Sequence, residues 1–94
     1  MIQTIKHKGL KLFFTKGDNS KLPADRLSKI RNILTVIHTA TDIEEINQPA
    51  YRLHPLKGDL LGFYAVDVTG NYRIIFRFEN GNAYDLDYLD YHGG

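Results

Sequence analysis

The spacing of apolar residues changes in the middle of this chain, and that change limits the folds it can adopt. From Leu10 to Ala40 the apolar side chains recur at helical spacing, and from Tyr51 onward they recur at alternate positions. Because the helical segments come first, they should cover the apolar face of the sheet that follows. The sequence predicts an α+β fold with two to three N-terminal helices packed on one face of a small antiparallel sheet.

The first half of the chain carries signals for three helices. Gly17 is well placed to end a helix that contains residues 10–14. Pro23 suits the first turn of a second, longer helix. The apolar stripe of that helix consists of Leu27, Ile30, Ile33, Leu34, Ile37 and Ala40. Residues 41–44 fit a capping box and predict a brief third helix, while the alternation over residues 2–6 predicts a short strand.

Four further strands are predicted at residues 51–54, 63–68, 72–79 and 83–89. Their apolar faces align if both hairpin loops, residues 69–71 and 80–82, have three residues. A two-residue turn at Asn80-Gly81 would set Phe76 against Asp85 and turn core residues toward water. The aligned faces contain Ile74, Phe76 and Phe78 on one strand and Tyr84, Leu86 and Tyr88 on the next.

This register has consequences for the face turned away from the apolar core. It places Arg73 opposite both Asp67 and Leu89, with Tyr91 as a diagonal neighbour, and it places Asp85 opposite Arg77. Long side chains on this face can therefore meet across the strands.

Composition excludes several kinds of site. The chain has no cysteine, so disulfides, thiolate metal sites and cysteine nucleophiles are ruled out. No apolar run approaches the ~20 residues of a membrane span, and none resembles a signal peptide, so we expect a cytoplasmic protein. A chain of 94 residues suits one domain, residues 1–94, with a shallow site that a large partner completes.

Charge is distributed unevenly along the chain. Residues 1–31 hold eight basic and two acidic side chains, a net charge of +6, whereas the remaining residues carry −5. This asymmetry predicts an electropositive face that could contact phosphates, unless the basic residues only solvate two ordinary helices.

A few residues have the chemistry of a catalytic site. His54 should be partly exposed at a strand end, and histidine is the usual proton carrier near neutral pH. Lys57 lies on a loop and could reach a phosphate. The planar fork of Arg73 also suits a phosphate. Each of these three residues also has a structural interpretation. His54 could be an ordinary surface histidine and Lys57 a solubilising loop lysine. Arg73 could form an ion pair across the strands with Asp67.

The group Asp90-Tyr91-His92 follows the last strand and contains three side chains that can hold or pass protons, although such segments are often inert. His7 and His38 are expected to be structural. No set of residues forms a recognisable metal site, a phosphate-binding glycine loop or a GxSxG nucleophile motif.

The motifs, taken in order, resemble the HigB toxins of the RelE/ParE superfamily. They are His7-Lys8-Gly9-Leu10-Lys11-Leu12, Thr39-Ala40-Thr41, Leu53-His54-Pro55-Leu56-Lys57-Gly58-Asp59, Tyr72-Arg73-Ile74 and Asp90-Tyr91-His92. The resemblance covers residues 1–92. It implies a RelE-like fold and a toxin of a type II toxin–antitoxin system.

The resemblance also implies an activity and its partners. The expected activity is ribosome-dependent cleavage of messenger RNA in the A site, with neither metal ion nor cofactor. The expected antitoxin is a HigA-like helix-turn-helix protein. The positions that match the family's active site are His54, Lys57, Arg73, Asp90, Tyr91 and His92, with Lys57 and Arg73 expected to bind phosphate.

Two other functions stay open. The chain could be a relative that poisons DNA gyrase without catalysis, or a basic module that only holds RNA. Proton carriers count against the gyrase poison, which needs none. The basic side chains Lys8, Lys11 and Lys16 are the candidates for ribosome contact.

Overall fold

A four-stranded antiparallel sheet in the order β1-β2-β3-β4 is the frame of the computed structural model, which describes residues 1–90. Its strands are β1 (His54–Pro55), β2 (Phe63–Asp67), β3 (Tyr72–Glu79) and β4 (Asn82–Asp90). Two helices precede them, α1 (Lys8–Lys16) and α2 (Leu27–Thr39). Short 3-10 turns cover Ala24–Arg26, Ile43–Ile46 and Gly58–Leu60.

The helices cover one face of the sheet, as the sequence predicted. The stripe of α2 is buried at Ile30, Ile33, Leu34 and Ile37, and the core extends to Leu10 of α1. From the sheet, Val66, Ile74, Phe76 and Leu86 join this core. Burying one such side chain contributes roughly 1.5–3 kcal/mol. Among residues 1–90, no helix is long and apolar enough to cross a bilayer.

The helix ends follow local chemistry. Gly17 has a φ of 70° and its N–H donates to the Phe13 carbonyl, so α1 ends where predicted. Pro23 precedes the turn Ala24–Arg26 instead of lying inside the first turn of α2. The predicted capping box is displaced by one residue, because Asp42 caps the turn and Glu45 closes the box.

The segment over residues 2–6 is not a regular strand, contrary to prediction. It makes two isolated parallel bridges to β4, Ile2 with Ala83 and Ile5 with Leu86. Between them, the backbone N–H of Asp85 donates to the Thr4 hydroxyl at 2.8 Å instead of to a carbonyl. A side chain thus replaces the ladder bond that a strand would need.

The hairpin between β3 and β4 differs from the predicted one. Its turn has two residues, Asn80 and Gly81, with φ of 52° and 78°, and Glu79 pairs with Asn82. The predicted three-residue loop is therefore wrong. The hairpin avoids the expected misalignment because β4 bulges at Asp85, whose φ is 57°.

The bulge changes which residues share a face of β4. It returns Leu86 and Tyr88 to the helix side, with Tyr88 opposite Ile74. The two-residue turn, which precedes the bulge, places Tyr84 opposite Arg77 on the other face, so the prediction that Tyr84 faces the core is also wrong.

The hairpin between β2 and β3 agrees with prediction. The Val68 N–H donates to the Tyr72 carbonyl at 2.9 Å across the three-residue loop 69–71. Arg73 lies opposite Asp67 on one side and Leu89 on the other. The predicted strand over residues 51–54 is shorter than expected, because Arg52 has a φ of 52° and pairing begins at His54.

Candidate functional site

An open cleft of about 540 Å³ lies beside β1, at the end of the β2–β3 hairpin. Its walls consist of Arg52, Leu53, His54, Asp67, Thr69, Gly70, Tyr72 and Arg73. Two residues that the sequence singled out, His54 and Arg73, therefore share one cleft.

Strand register explains why these side chains meet. His54 pairs with Ala65 of β2, and Asp67, two residues along β2, pairs with Arg73 of β3. Residues two apart on a strand point to the same face, so His54, Asp67 and Arg73 share the face opposite the helices. The three strands together build a site that no single segment contains.

The His54 ring is half-buried, and its Nδ1 lies 2.8 Å from the backbone carbonyl oxygen of Arg52. This contact restrains the ring at the mouth of the cleft. A histidine that is restrained yet accessible suits proton transfer to a bound substrate.

Arg73 is half-buried in the middle of the sheet's open face. Asp67 lies opposite it, and the ion pair observed for the Asp67 carboxylate is with Arg52 Nε, at 3.5 Å. Arg52 is therefore a member of the site that sequence reasoning missed. Its left-handed backbone has no marker in the sequence, since arginine rarely adopts it.

The remaining predicted residues are less close to the cleft. Lys57 is exposed on the loop three residues after His54, just before the turn Gly58–Leu60, and is outside the cleft wall. Asp90 ends β4 opposite Tyr72, so register places it on the helix face instead of the Arg73 face. Tyr91 and His92 lie outside the described residues.

An aromatic stack at the edge of the cleft was also missed. The rings of Tyr72 and Tyr88 stack at 5.2 Å, and the Arg26 guanidinium lies 4.6 Å from the centre of the Tyr72 ring. His7 meets Tyr88 edge-on at 5.6 Å. The stack joins the start of α1 and the turn before α2 to the end of β4, beside the cleft wall.

His7 and His38 serve the fold. The Nδ1 of His7 accepts from the Leu10 N–H at the start of α1, and that of His38 accepts from the Ile2 N–H. Over residues 1–90, no three His, Cys, Asp or Glu side chains cluster closely enough to hold a metal ion.

Three exposed lysines lie along α1. Lys8, Lys11 and Lys16 all lie at the surface, as the predicted electropositive segment requires. Their positions would permit contact with phosphates of a large RNA.

Comparison with known proteins gives both a family and a fold. The family described as the RelE-like toxin of the type II toxin–antitoxin system HigB matches residues 3–92. Endoribonuclease HigB from Proteus vulgaris is 52% identical over 92 residues, which are 98% of this chain and 100% of that protein.

Two solved structures show the same fold at low sequence identity. A mutant of YafQ from E. coli is 16% identical, with a TM-score of 0.62 and coverage of 96% of this chain and 91% of that one. A copper-bound mutant toxin from Helicobacter pylori is 19% identical, with a TM-score of 0.56, and the match covers 96% of this chain and 94% of that toxin.

Proposed function

Because this chain belongs to the HigB-like family of type II toxin–antitoxin toxins, we propose that it is an endoribonuclease that cleaves messenger RNA and thereby inhibits translation and growth. The observation that carries the proposal is the shared cleft of His54 and Arg73, in a chain 52% identical to an endoribonuclease along its length. A toxin of this family has an antitoxin partner, which we propose to be a HigA-like helix-turn-helix protein.

The proposed reaction uses the RNA's own 2′-hydroxyl. This group loses its proton to a base, and its oxygen attacks the adjacent phosphorus. The bond from phosphorus to the 5′-oxygen breaks, and that oxygen takes a proton from an acid. The products are a 2′,3′-cyclic phosphate and a 5′-hydroxyl. Each proton transfer by a positioned side chain contributes typically 10²–10⁴-fold to the rate.

The reaction needs groups that transfer protons and a cation that stabilises the negative charge on phosphorus, and the cleft contains candidates for both. His54 can exchange a proton with the substrate, and the Arg73 guanidinium can face the negative charge that develops on phosphorus. Lys57 would bind a neighbouring phosphate from its loop. Asp90, Tyr91 and His92 complete the proposed set as further proton carriers, and no step in this scheme uses a metal ion or cofactor.

We also propose that cleavage requires the ribosome, with messenger RNA bound in the A site. The cleft is open, and orientation of the reacting groups can account for ~7–11 kcal/mol of a barrier. The ribosome would supply this orientation, while Lys8, Lys11 and Lys16 contact ribosomal RNA. The cytoplasm, where translation occurs, is the proposed location.

The test is to incubate the protein with messenger RNA, either free or on programmed ribosomes, and to map new 5′ ends. Cleavage confined to ribosome-bound RNA is expected. Equal cleavage of free RNA would contradict ribosome dependence. No cleavage together with inhibition of gyrase would favour a non-catalytic gyrase poison, and RNA binding without either effect would favour a basic RNA-binding module.

A further inference from the structure

The three histidines of residues 1–90 differ in what their Nδ1 atoms meet. His7 Nδ1 lies 3.2 Å from the backbone N–H of Leu10, and His38 Nδ1 lies 3.1 Å from that of Ile2. His54 Nδ1 instead lies 2.8 Å from the carbonyl oxygen of Arg52. The first two nitrogens face donors, whereas the third faces an acceptor.

This difference fixes where the proton of each neutral ring lies. A nitrogen that accepts a hydrogen bond must carry a lone pair, so His7 and His38 hold their protons on Nε2. A carbonyl oxygen can only accept, so Nδ1 of His54 must carry the proton. The neutral His54 ring therefore keeps its lone pair on Nε2.

The backbone of Arg52 directs that carbonyl. Arg52 has a φ of 52°, a left-handed conformation that is uncommon outside glycine and asparagine. Contacts on both sides attach this segment to β2: the Tyr51 carbonyl accepts from the Asp67 N–H at 2.8 Å, and His54 pairs with Ala65. The Arg52 side chain adds its ion pair with Asp67.

We propose that Arg52 is a positioning residue, whose carbonyl fixes His54 as the Nδ1–H tautomer and makes Nε2 the nitrogen that takes the proton from the 2′-hydroxyl. This inference rests on the proposed function for its role in cleavage. When Nε2 gains the proton, the bond from Nδ1–H to the Arg52 carbonyl becomes charge-assisted and stabilises the imidazolium. The Arg52 side chain, which is 79% exposed, forms the ion pair with Asp67. In the proposed complex its guanidinium also contacts the RNA backbone at the rim of the cleft.

The tautomer can be measured without any substrate. Long-range ¹H–¹⁵N correlation spectra of the free protein, at a pH where its histidines are neutral, separate the protonated from the unprotonated ring nitrogen. We expect Nδ1–H for His54 and Nε2–H for His7 and His38, which act as internal controls. An Nε2–H tautomer at His54 would overturn the proposal, whether or not the protein cleaves RNA.

Substitutions separate the backbone of Arg52 from its side chain. Arg52→Gly adopts a positive φ without strain, so it should keep the His54 tautomer and weaken cleavage mainly through KM. Arg52→Val disfavours this φ, so it should lose the tautomer preference and slow single-turnover cleavage by about 10²-fold.

The control is Asn80→Val, because Asn80 has the same φ of 52° in a turn away from the cleft. It should lower the melting temperature while leaving the His54 tautomer and cleavage unchanged. Retention of the tautomer and rate in Arg52→Val, or loss of the tautomer in Arg52→Gly, would contradict the positioning role. A correct tautomer in a protein that cleaves no RNA would refute the proposed function alone.

Discussion

Arg77 Nε donates to Asp85 Oδ2 at 3.0 Å, although the residue opposite Arg77 in the sheet is Tyr84. The bulge at Asp85 makes this pairing possible, and a second ion pair joins Arg77 to Glu79 at 3.1 Å. Arg73 lies four residues earlier on the same face of β3 and lines the cleft. The two arginines therefore form a matched pair, one structural and one proposed to act on RNA.

We predict that Arg73→Ala lowers the single-turnover cleavage rate on ribosomes by ~10²–10³-fold, because the lost cation acts mainly in the transition state. Arg73→Lys should recover little of the rate, since an ammonium lacks the planar fork. Thermal stability should change little, by about 0.5 kcal/mol, as is usual at surface positions.

Arg77→Ala is the control for this prediction and should cleave at nearly the parent rate. If Arg73→Ala melts far below the parent protein, Arg73 is mainly structural. If it melts and cleaves normally, the site lies elsewhere.

Removal of Tyr91 and His92 together with the final glycines should abolish cleavage and leave the melting temperature nearly unchanged. The reason is that Tyr91 and His92 are proposed members of the same site as Arg73, and Leu89, two residues before Tyr91, lies opposite Arg73. Removal of Gly93 and Gly94 alone should preserve activity. Full cleavage by the shorter chain would remove Tyr91 and His92 from the proposed site.

Neutralising the exposed lysines of α1 should weaken ribosome binding and make it less sensitive to salt. Each lost phosphate contact makes the negative slope of log K against log salt shallower by about one, because fewer counterions are released. The triple variant is Lys8→Gln, Lys11→Gln and Lys16→Gln, with binding measured across a salt titration.

A control variant with the same change in net charge uses surface positions outside α1. It combines Asn32→Glu, Asn47→Glu and Gln48→Glu, all of which are exposed. An equal loss of binding in both variants would mean that net charge, and not the α1 surface, governs association.

The bulge residue should be intolerant of β-branched side chains. Asp85→Val should destabilise the protein by about 1–3 kcal/mol in urea unfolding, because valine is strained at a φ of 57° and loses the contacts to Thr4 and Arg77. Asp85→Asn should cost less, since asparagine adopts this conformation more readily. Equal effects would show that side-chain contacts, not backbone conformation, hold the bulge.

Acid should weaken the cap of the turn Ile43–Ile46. The pKa of Glu45 is held below its ordinary value of 4.5, because its carboxylate accepts hydrogen bonds from the N–H and hydroxyl of Thr41 and from the Asp42 N–H. A lowered pKa in the folded state means that this stabilisation is present above pH 4.5 and is lost as the pH falls through the folded value.

Glu45→Gln should therefore lower the melting temperature at pH 7 and flatten its decline toward acid pH. Glu44→Gln, one residue earlier and outside the capping box, is the control. An unchanged pH profile in Glu45→Gln would show that the box does not contribute to stability.

The position of Arg73 in the candidate site was predictable because its determinants are periodic. The alternation in β2, β3 and β4 placed Arg73 opposite Asp67 and Leu89, and the structure confirms both pairings. The hairpin from β3 to β4 was predicted wrongly, because aligning apolar faces cannot distinguish a longer loop from a short turn followed by a bulge. Both solutions restore Leu86 to the core, and they differ in where the extra residue lies and therefore in the face on which Tyr84 lies.

The sequence by itself determined the order of elements, the buried stripe of α2 and the open face that carries Arg73, because side-chain periodicity depends only on neighbours along the chain. Tertiary structure decided the left-handed conformations of Arg52 and Asp85. Each is held by contacts with a distant segment, Asp67 for the Arg52 region and Thr4 for Asp85. The Arg52 conformation sets the hydrogen-bond partner of His54. The bulge at Asp85 lets a two-residue turn place Tyr84 opposite Arg77 while Leu86 still faces the core, which no local pattern specifies.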